Sequence, residues 1–146
     1  MGSWSAEAEQ VMLGIGWAPG RRVDTTPWRE AFEAVGLSMH EAAERFLAEF
    51  GGLVCDVRGP GLTAAREPFD LDPLLAEGEE DRFQEWGEEI GRSIFPVGEL
   101  DHGRFFLGID ENEEIYLVAD WLARFGAGRT GLENLVLGVM PEEVVD

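Results

Sequence analysis

The chain has 146 residues, of which 45% are hydrophobic and 28% are charged, the balance of a folded domain and not of a disordered segment. Its 30 acidic residues outnumber 11 basic ones, all arginine, and give a net charge of −19. This charge argues against binding to DNA, RNA or an anionic membrane, because each of those needs a cationic protein face. It favours a partner that is itself basic.

Length, cysteine content and hydropathy narrow the class further. A chain of this length buries a core of its own, so we expect a single domain over residues 1–146. The lone Cys55 has no partner for an internal disulfide. No apolar stretch approaches the roughly 18 residues of a transmembrane helix, and the chain does not begin with the pattern of a signal peptide. We therefore expect a cytoplasmic location.

Helical periodicity starts close to the N-terminus. Apolar residues recur every three or four positions from Trp4 to Ile15, which predicts an amphipathic helix. Ser3 and Ser5 are its candidate N-caps, and Gly14 and Gly16 end it. Trp17 opens the loop that follows. An exposed tryptophan there would anchor a partner, whereas a buried one would close over the helical layer.

Two further helices are predicted before residue 52. Thr26 has the place of an N-cap, with Pro27 at the first helical position. Ser38 and Glu41 have the spacing of a capping box, in which each side chain satisfies a free backbone donor of the other. The helix that this box opens ends at Gly51, where we expect the left-handed conformation that glycine adopts without strain.

The middle of the chain changes to a strand-like pattern. Residues 53–57 predict a short strand, residues 59–61 a turn, and residues 62–69 a second strand, which together make a hairpin. Asp72 followed by Pro73 then predicts the start of a short helix.

A helix over residues 79–90 carries the densest negative charge. Phe83, Trp86 and Ile90 share its apolar face. Its acids include like-charge pairs four residues apart, and each such pair costs roughly 0.2–0.5 kcal/mol of helix stability. The acidic face is therefore either a solubilising surface or a surface for a basic partner. The candidate partner-binding residues are Glu79, Glu80, Asp81, Glu85, Glu88 and Glu89.

The last third predicts a meander of strands and a closing helix. Strands are predicted over residues 94–97, 104–109, 114–119 and 121–125. Pro96 places the first of them at a sheet edge or at a bulge. Thr130 and Glu133 have the spacing of a second capping box, and Gly138 ends its helix. Helices followed by antiparallel strands are typical of the α+β class, here with helices packed on a mainly antiparallel sheet.

The sequence offers little for catalysis or metal binding. Two histidines, His40 and His102, and one cysteine are too few for a structural zinc site, and we expect both histidines on the surface. Cys55 lies in an apolar strand, where it is expected to act as a small hydrophobe. The acidic turn over residues 110–114 lacks the spacing and glycine of a calcium loop. No catalytic residue, metal or cofactor is predicted.

The order of motifs resembles that of the third family of the SUKH superfamily of bacterial immunity proteins. The resemblance covers nearly the whole chain. One departure is Asn112-Glu113-Glu114, where the family often has a glycine; Asn112 can adopt the left-handed conformation, so we expect the hairpin to survive. The matching segments are Trp17-Ala18-Pro19-Gly20-Arg21, Trp28, Ala43, Phe46-Leu47, Phe50-Gly51-Gly52-Leu53, Phe69, Asp72-Pro73, Phe95-Pro96-Val97-Gly98-Glu99, Leu107 to Asp110, Ile115-Tyr116 and Leu135 to Gly138.

The resemblance implies a single SUKH-like domain that inhibits a cognate toxin by binding it. Such families are encoded beside polymorphic toxins, many of which act on nucleic acids. It implies no catalytic residue, and it carries over no specific binding residue, because the partner surface of the family varies. The expected partner is a basic toxin, and nucleic acids, membranes and small-molecule ligands are not expected partners.

Two other classes of function stay open at this point. One is a non-catalytic regulatory or scaffold module that binds an endogenous protein. The other is an enzyme or a small-ligand binder, which would need a buried pocket with converging polar groups; no local motif indicates one.

Overall fold

The computed structural model of the chain describes residues 4–145, so Ser3, one of the two predicted N-caps, lies outside it. Ser5 is the N-cap of the first helix, and its hydroxyl accepts from the Ala8 N–H at 3.2 Å. The helices within the described range are α1 (Ala6–Gly14), α2 (Thr26–Glu33), α3 (Glu41–Phe50), a 3₁₀ helix (Pro73–Ala76), α4 (Glu80–Ile90) and α5 (Gly128–Leu137).

The strands are all antiparallel to their neighbours. Seven of them form one sheet in the order β1-β4-β5-β6-β7-β8-β9, and β2 and β3 pair separately. The prediction of an α+β domain with helices on an antiparallel sheet is confirmed. The strands are β1 (Val54–Cys55), β2 (Gly59–Pro60), β3 (Ala65–Arg66), β4 (Phe69–Asp70), β5 (Phe95–Leu100), β6 (Phe105–Ile109), β7 (Glu114–Val118), β8 (Leu122–Ala127) and β9 (Glu142–Val145).

Helices cover both faces of the large sheet. On one face, Phe83 of α4 packs against Phe106 of β6, with ring centroids 6.3 Å apart. On the other, α5 approaches Ile115 so closely that a side chain at Gly131 would lie 3.2 Å from its Cδ1 atom. Ile115 is paired with Ile109, which points away from the Phe106 face because side chains alternate along a strand. The sheet is thus the middle layer, with α4 and α5 on opposite sides.

The predicted hairpin exists in a modified form. Residues 54–55 pair with residues 69–70, but residues 59–60 pair with residues 65–66 instead of forming the predicted turn, and the second predicted strand, residues 62–69, is interrupted. The N–H groups of Thr63 and Ala64 donate to the Gly138 carbonyl at 3.0 and 2.9 Å, so this segment bonds to the end of α5 instead of continuing a strand.

Both predicted capping boxes are wrong, because the helices start elsewhere. α3 starts at Glu41 with His40 as its N-cap, so Ser38 lies outside the helix. α5 starts at Gly128, which places Thr130 inside its first turn. The Glu133 carboxylate instead accepts from the Ser5 N–H at 3.0 Å and ties α5 to α1.

Other predicted helix ends differ in detail. The N-cap of α2 is Thr25 and not Thr26; the Thr26 N–H is bonded to the Asp24 carboxylate at 3.0 Å. Gly51 does follow α3, but with an extended backbone (φ −60°) and not a left-handed one. Glycine is required there because a Cβ atom would lie 2.5 Å from the ring of Trp28.

The sheet confirms the predicted bulge at Pro96, and it contains one strand that was not predicted. The register shifts at Pro96, so the proline marks a bulge, within a strand that has neighbours on both sides. The edge strand β9 was not predicted, since its sequence, two glutamates followed by two valines, does not alternate between polar and apolar residues. None of the helices in residues 4–145 is long and apolar enough to cross a membrane.

Candidate partner-binding surface

Helix α4 is held on the sheet by its inner face. Phe83 is completely buried, and Gly87 fits where a Cβ atom would lie 2.5 Å from the Arg92 carbonyl oxygen. The indole Nε1 of Trp86 donates to the Ala119 carbonyl at 2.9 Å. This hydrogen bond fixes α4 against the turn that joins β7 to β8, so the outer face of α4 is presented on a rigid support.

The outer face of α4 borders a groove of about 500 Å³. Four of the six predicted partner-binding residues line it, and Asp120 from the β7–β8 turn completes it. We call the set of five carboxylates Glu79, Asp81, Glu85, Glu89 and Asp120 the acidic groove. Asp120 was missed by sequence reasoning because it joins the groove through the Trp86 contact and not through any local pattern.

The other two predicted residues lie outside this groove. Glu88 is exposed but borders a neighbouring depression with Gln84, Arg92 and Glu111. Glu80 is half-buried, and its Oε2 atom is shielded from solvent without a hydrogen-bond partner. The structure thus divides the six predicted residues into four that line the groove and these two that do not.

The charge of the groove is strongly unbalanced. Among residues 4–145, Arg82 is the one cation lining it, and it lies 3.4 Å from the Glu79 carboxylate and 3.8 Å from that of Asp120. The Asp120 side chain remains 97% exposed. Within the described residues, Asp81, Glu85 and Glu89 have no ion-pair partner within 4.0 Å. Five carboxylates against one guanidinium can bind cationic side chains of a partner.

The two histidines differ in environment. His102 is exposed, as predicted. His40 is not a surface histidine: its Nδ1 accepts from the Ala43 N–H at 3.1 Å, and its Nε2 lies 3.1 Å from the Ile109 carbonyl oxygen. Cys55 is 2% exposed, which agrees with its predicted role as a small hydrophobe, and burial raises the pKa of its thiol.

The acidic turn after β6 is a structural element. The buried Asp110 carboxylate accepts from the N–H groups of Asn112 and Glu114 at 2.8 and 3.0 Å and from the Tyr116 hydroxyl at 2.8 Å. The hairpin survives as expected, but the left-handed residue is Glu113 (φ 71°) and not Asn112. In residues 4–145, no group of three or more histidine, cysteine or carboxylate side chains is placed to hold a metal ion.

Trp17 belongs to the core and is no partner anchor. It is 3% exposed, and its Nε1 donates to the Glu49 carboxylate at 3.0 Å. The Arg129 guanidinium lies over the rings of Trp4 and Trp17, 5.0 and 5.2 Å from their centroids. Of the two interpretations of Trp17, a partner anchor or a buried residue that closes over the helical layer, the second is correct.

Comparison with known proteins agrees with the resemblance in the sequence. The model of the SUKH-3 immunity protein family matches residues 4–138, a span that runs from before α1 to the end of α5 and includes the acidic groove. No curated protein and no solved structure matches the chain. The family match covers far more than half of the chain, and the chain therefore belongs to the SUKH-3 immunity protein family.

Proposed function

We propose that this protein neutralises a basic cognate toxin in the cytoplasm by binding it through the acidic groove, without catalysis and without a cofactor. The observation that carries the proposal is the groove itself, where five carboxylates lie together and only two of them, Glu79 and Asp120, are within 4.0 Å of Arg82. Membership of an immunity protein family indicates that the partner is a toxin, and the net charge of −19 on this chain indicates that the partner's surface is basic.

A toxin that acts on nucleic acid fits this surface best. An enzyme that binds DNA or RNA needs a cationic cleft to neutralise phosphates. A protein of net charge −19 is attracted to such a cleft before contact, and electrostatic steering of this kind raises association rates to around 10⁸–10⁹ M⁻¹s⁻¹ at low salt. Occupation of the cleft would exclude the nucleic acid that the toxin acts on.

Arg82 illustrates how the groove would hold the toxin. Its guanidinium lies between the carboxylates of Glu79 and Asp120, which belong to different elements of the fold. Asp81, Glu85 and Glu89 offer the same chemistry to arginine or lysine side chains of a partner. Because α4 is anchored through Phe83 and Trp86, little backbone entropy is lost when these sites are filled.

Co-expression tests the proposal. The protein encoded by the reading frame next to this chain's gene is first expressed alone to establish that it inhibits growth, and it is then produced together with this chain. We expect growth to be rescued and the two proteins to co-purify. Absence of both results would refute the proposal. Co-purification with a host protein, without rescue, would favour a regulatory or scaffold module instead.

A further inference from the structure

A second concavity, of about 300 Å³, opens next to the end of α5 and is largely apolar. Its floor includes Leu100 and Phe105, which pair across neighbouring strands. Because side chains two residues apart in a strand share a face, this floor belongs to the same face of the sheet that α5 covers elsewhere. Its wall is the segment that follows α5. We call it the apolar groove and define it by Leu100, Phe105, Leu117, Trp121, Phe125 and Met140.

The apolar groove leaves large hydrophobic side chains accessible to water. Phe105 and Trp121 are half-buried, with their rings edge to face at 6.0 Å, and Met140 is 63% exposed. Covering these surfaces would remove apolar area from water and would be favourable. Aromatic side chains around an accessible depression are a frequent feature of protein-binding sites.

The apolar groove and the acidic groove flank the same turn from opposite sides of the sheet. Asp120 lines the acidic groove, and the next residue, Trp121, lines the apolar groove. The turn is rigid: the Ala119 N–H donates to the Trp121 carbonyl at 3.0 Å, and the Ala119 carbonyl accepts from Trp86. A single partner surface that reaches over this turn can contact both grooves.

The charge of the surroundings selects the occupant. A second copy of this chain, at −19, and an anionic membrane are both repelled from a site beside the acidic groove. A basic protein is attracted to it. An apolar anchor bordered by charged contacts is the arrangement that concentrates binding energy in protein interfaces.

We propose that the apolar groove receives an aromatic or long aliphatic side chain of the same basic partner whose cations occupy the acidic groove. This inference rests on the proposed function and adds to it the apolar half of the contact. The acidic groove then governs how fast the partner arrives, and the apolar groove governs how long it stays.

Met140→Asp tests the inference directly. The substitution puts a carboxylate into the mouth of the apolar groove at a mostly exposed position, so the fold is retained and the attraction to a basic partner is not reduced. With the protein encoded next to this chain's gene as the probe, we expect dissociation to become about tenfold faster or more and association to stay within about twofold. Trp121→Ala is expected to give the same change.

Leu13→Asp is the matched control, because Leu13 is 49% exposed on α1 and lies outside both grooves. It makes the same change of charge and should leave both rates unchanged. If Met140→Asp and Trp121→Ala behave like Leu13→Asp, while reversal of Asp81, Glu85 and Glu89 to arginine weakens binding, the inference is wrong and the proposed function stands. If Met140→Asp weakens binding and reversal of the three acids does not, the apolar groove is supported and the acidic groove is removed from the proposed function.

Discussion

The imidazole Nε2 of His40 lies 3.1 Å from the carbonyl oxygen of Ile109 and so joins the start of α3 to the end of β6. Because Nδ1 accepts from the Ala43 N–H, the ring proton resides on Nε2, which donates to Ile109. One side chain therefore caps a helix and binds it to the central strand of the sheet.

Replacing His40 tests this double role. His40→Ala removes the cap and the contact to Ile109, and we expect it to lower the free energy of unfolding by about 1–2 kcal/mol. His40→Asn keeps a good N-cap but cannot reach Ile109, so about half of that loss should be recovered. Urea unfolding of the three proteins measures the difference. Equal stability of His40→Ala and the parent chain would contradict the capping role.

Tyr116 is predicted to make the protein sensitive to alkali. Burial and the hydrogen bond to Asp110 raise the pKa of its hydroxyl well above the ordinary value of 10. A raised pKa means that the folded state holds this proton more tightly than the unfolded state. The contribution of this hydroxyl to the free energy of unfolding is therefore fully present below about pH 10 and is lost as the pH rises beyond it. Unfolding midpoints between pH 9 and 11 (roughly one unit on either side of that value) measure the slope.

Tyr116→Phe is the control for this slope. Tyr116 is the one tyrosine in the sequence, so its ionisation can be followed by absorbance without interference from another. The substitution should cost about 1–2 kcal/mol at neutral pH, because it removes one of three hydrogen bonds to the buried Asp110 carboxylate. It should also flatten the decline above pH 10. Ionisation of Tyr116 near pH 10 in the folded protein would contradict the assignment.

Asp70 and Glu99 face each other across β4 and β5 and repel. Partial burial, and then the charge of neighbouring acids, raises the pKa of both. The folded state thus binds protons more tightly than the unfolded state, and the repulsion disappears as the pH falls through the raised pKa values. We expect Asp70→Asn to stabilise the fold at pH 7 by about 0.5 kcal/mol or less, since both groups are partly solvated. Thermal unfolding at pH 7 and at pH 4 should show the gain only at the higher pH.

Local pattern was enough to predict the main helices. The 3.6-residue periodicity of α4 placed its bounds within one residue and its inner face correctly, because Phe83, Trp86 and Ile90 pack against the core. Helix starts were less predictable. Ser38 and Glu41 satisfy the spacing of a capping box, yet the cap is His40, whose ring finds a second partner in a strand remote in sequence.

The candidate site was predictable only in part for the same reason. Glu79, Asp81, Glu85 and Glu89 follow from helical geometry alone. Asp120 joins them only because Trp86 docks on Ala119, a contact between distant segments that no local sequence pattern predicts. The apolar groove depends likewise on where the end of α5 comes to lie over the sheet.

Charge reversal in the acidic groove is the sharpest test of the proposed surface. Changing Asp81, Glu85 and Glu89 to arginine moves the net charge by six units, from −19 to −13. The same reversal at the exposed Glu9, Glu30 and Asp56 gives a control of equal net charge. If binding uses the groove, only the first variant should associate about tenfold more slowly at low salt and lose most of its salt dependence, because steering depends on where the charges lie. Equal rates for the two variants, measured by stopped flow, would show that net charge alone attracts the partner and that the groove is only a solvated surface.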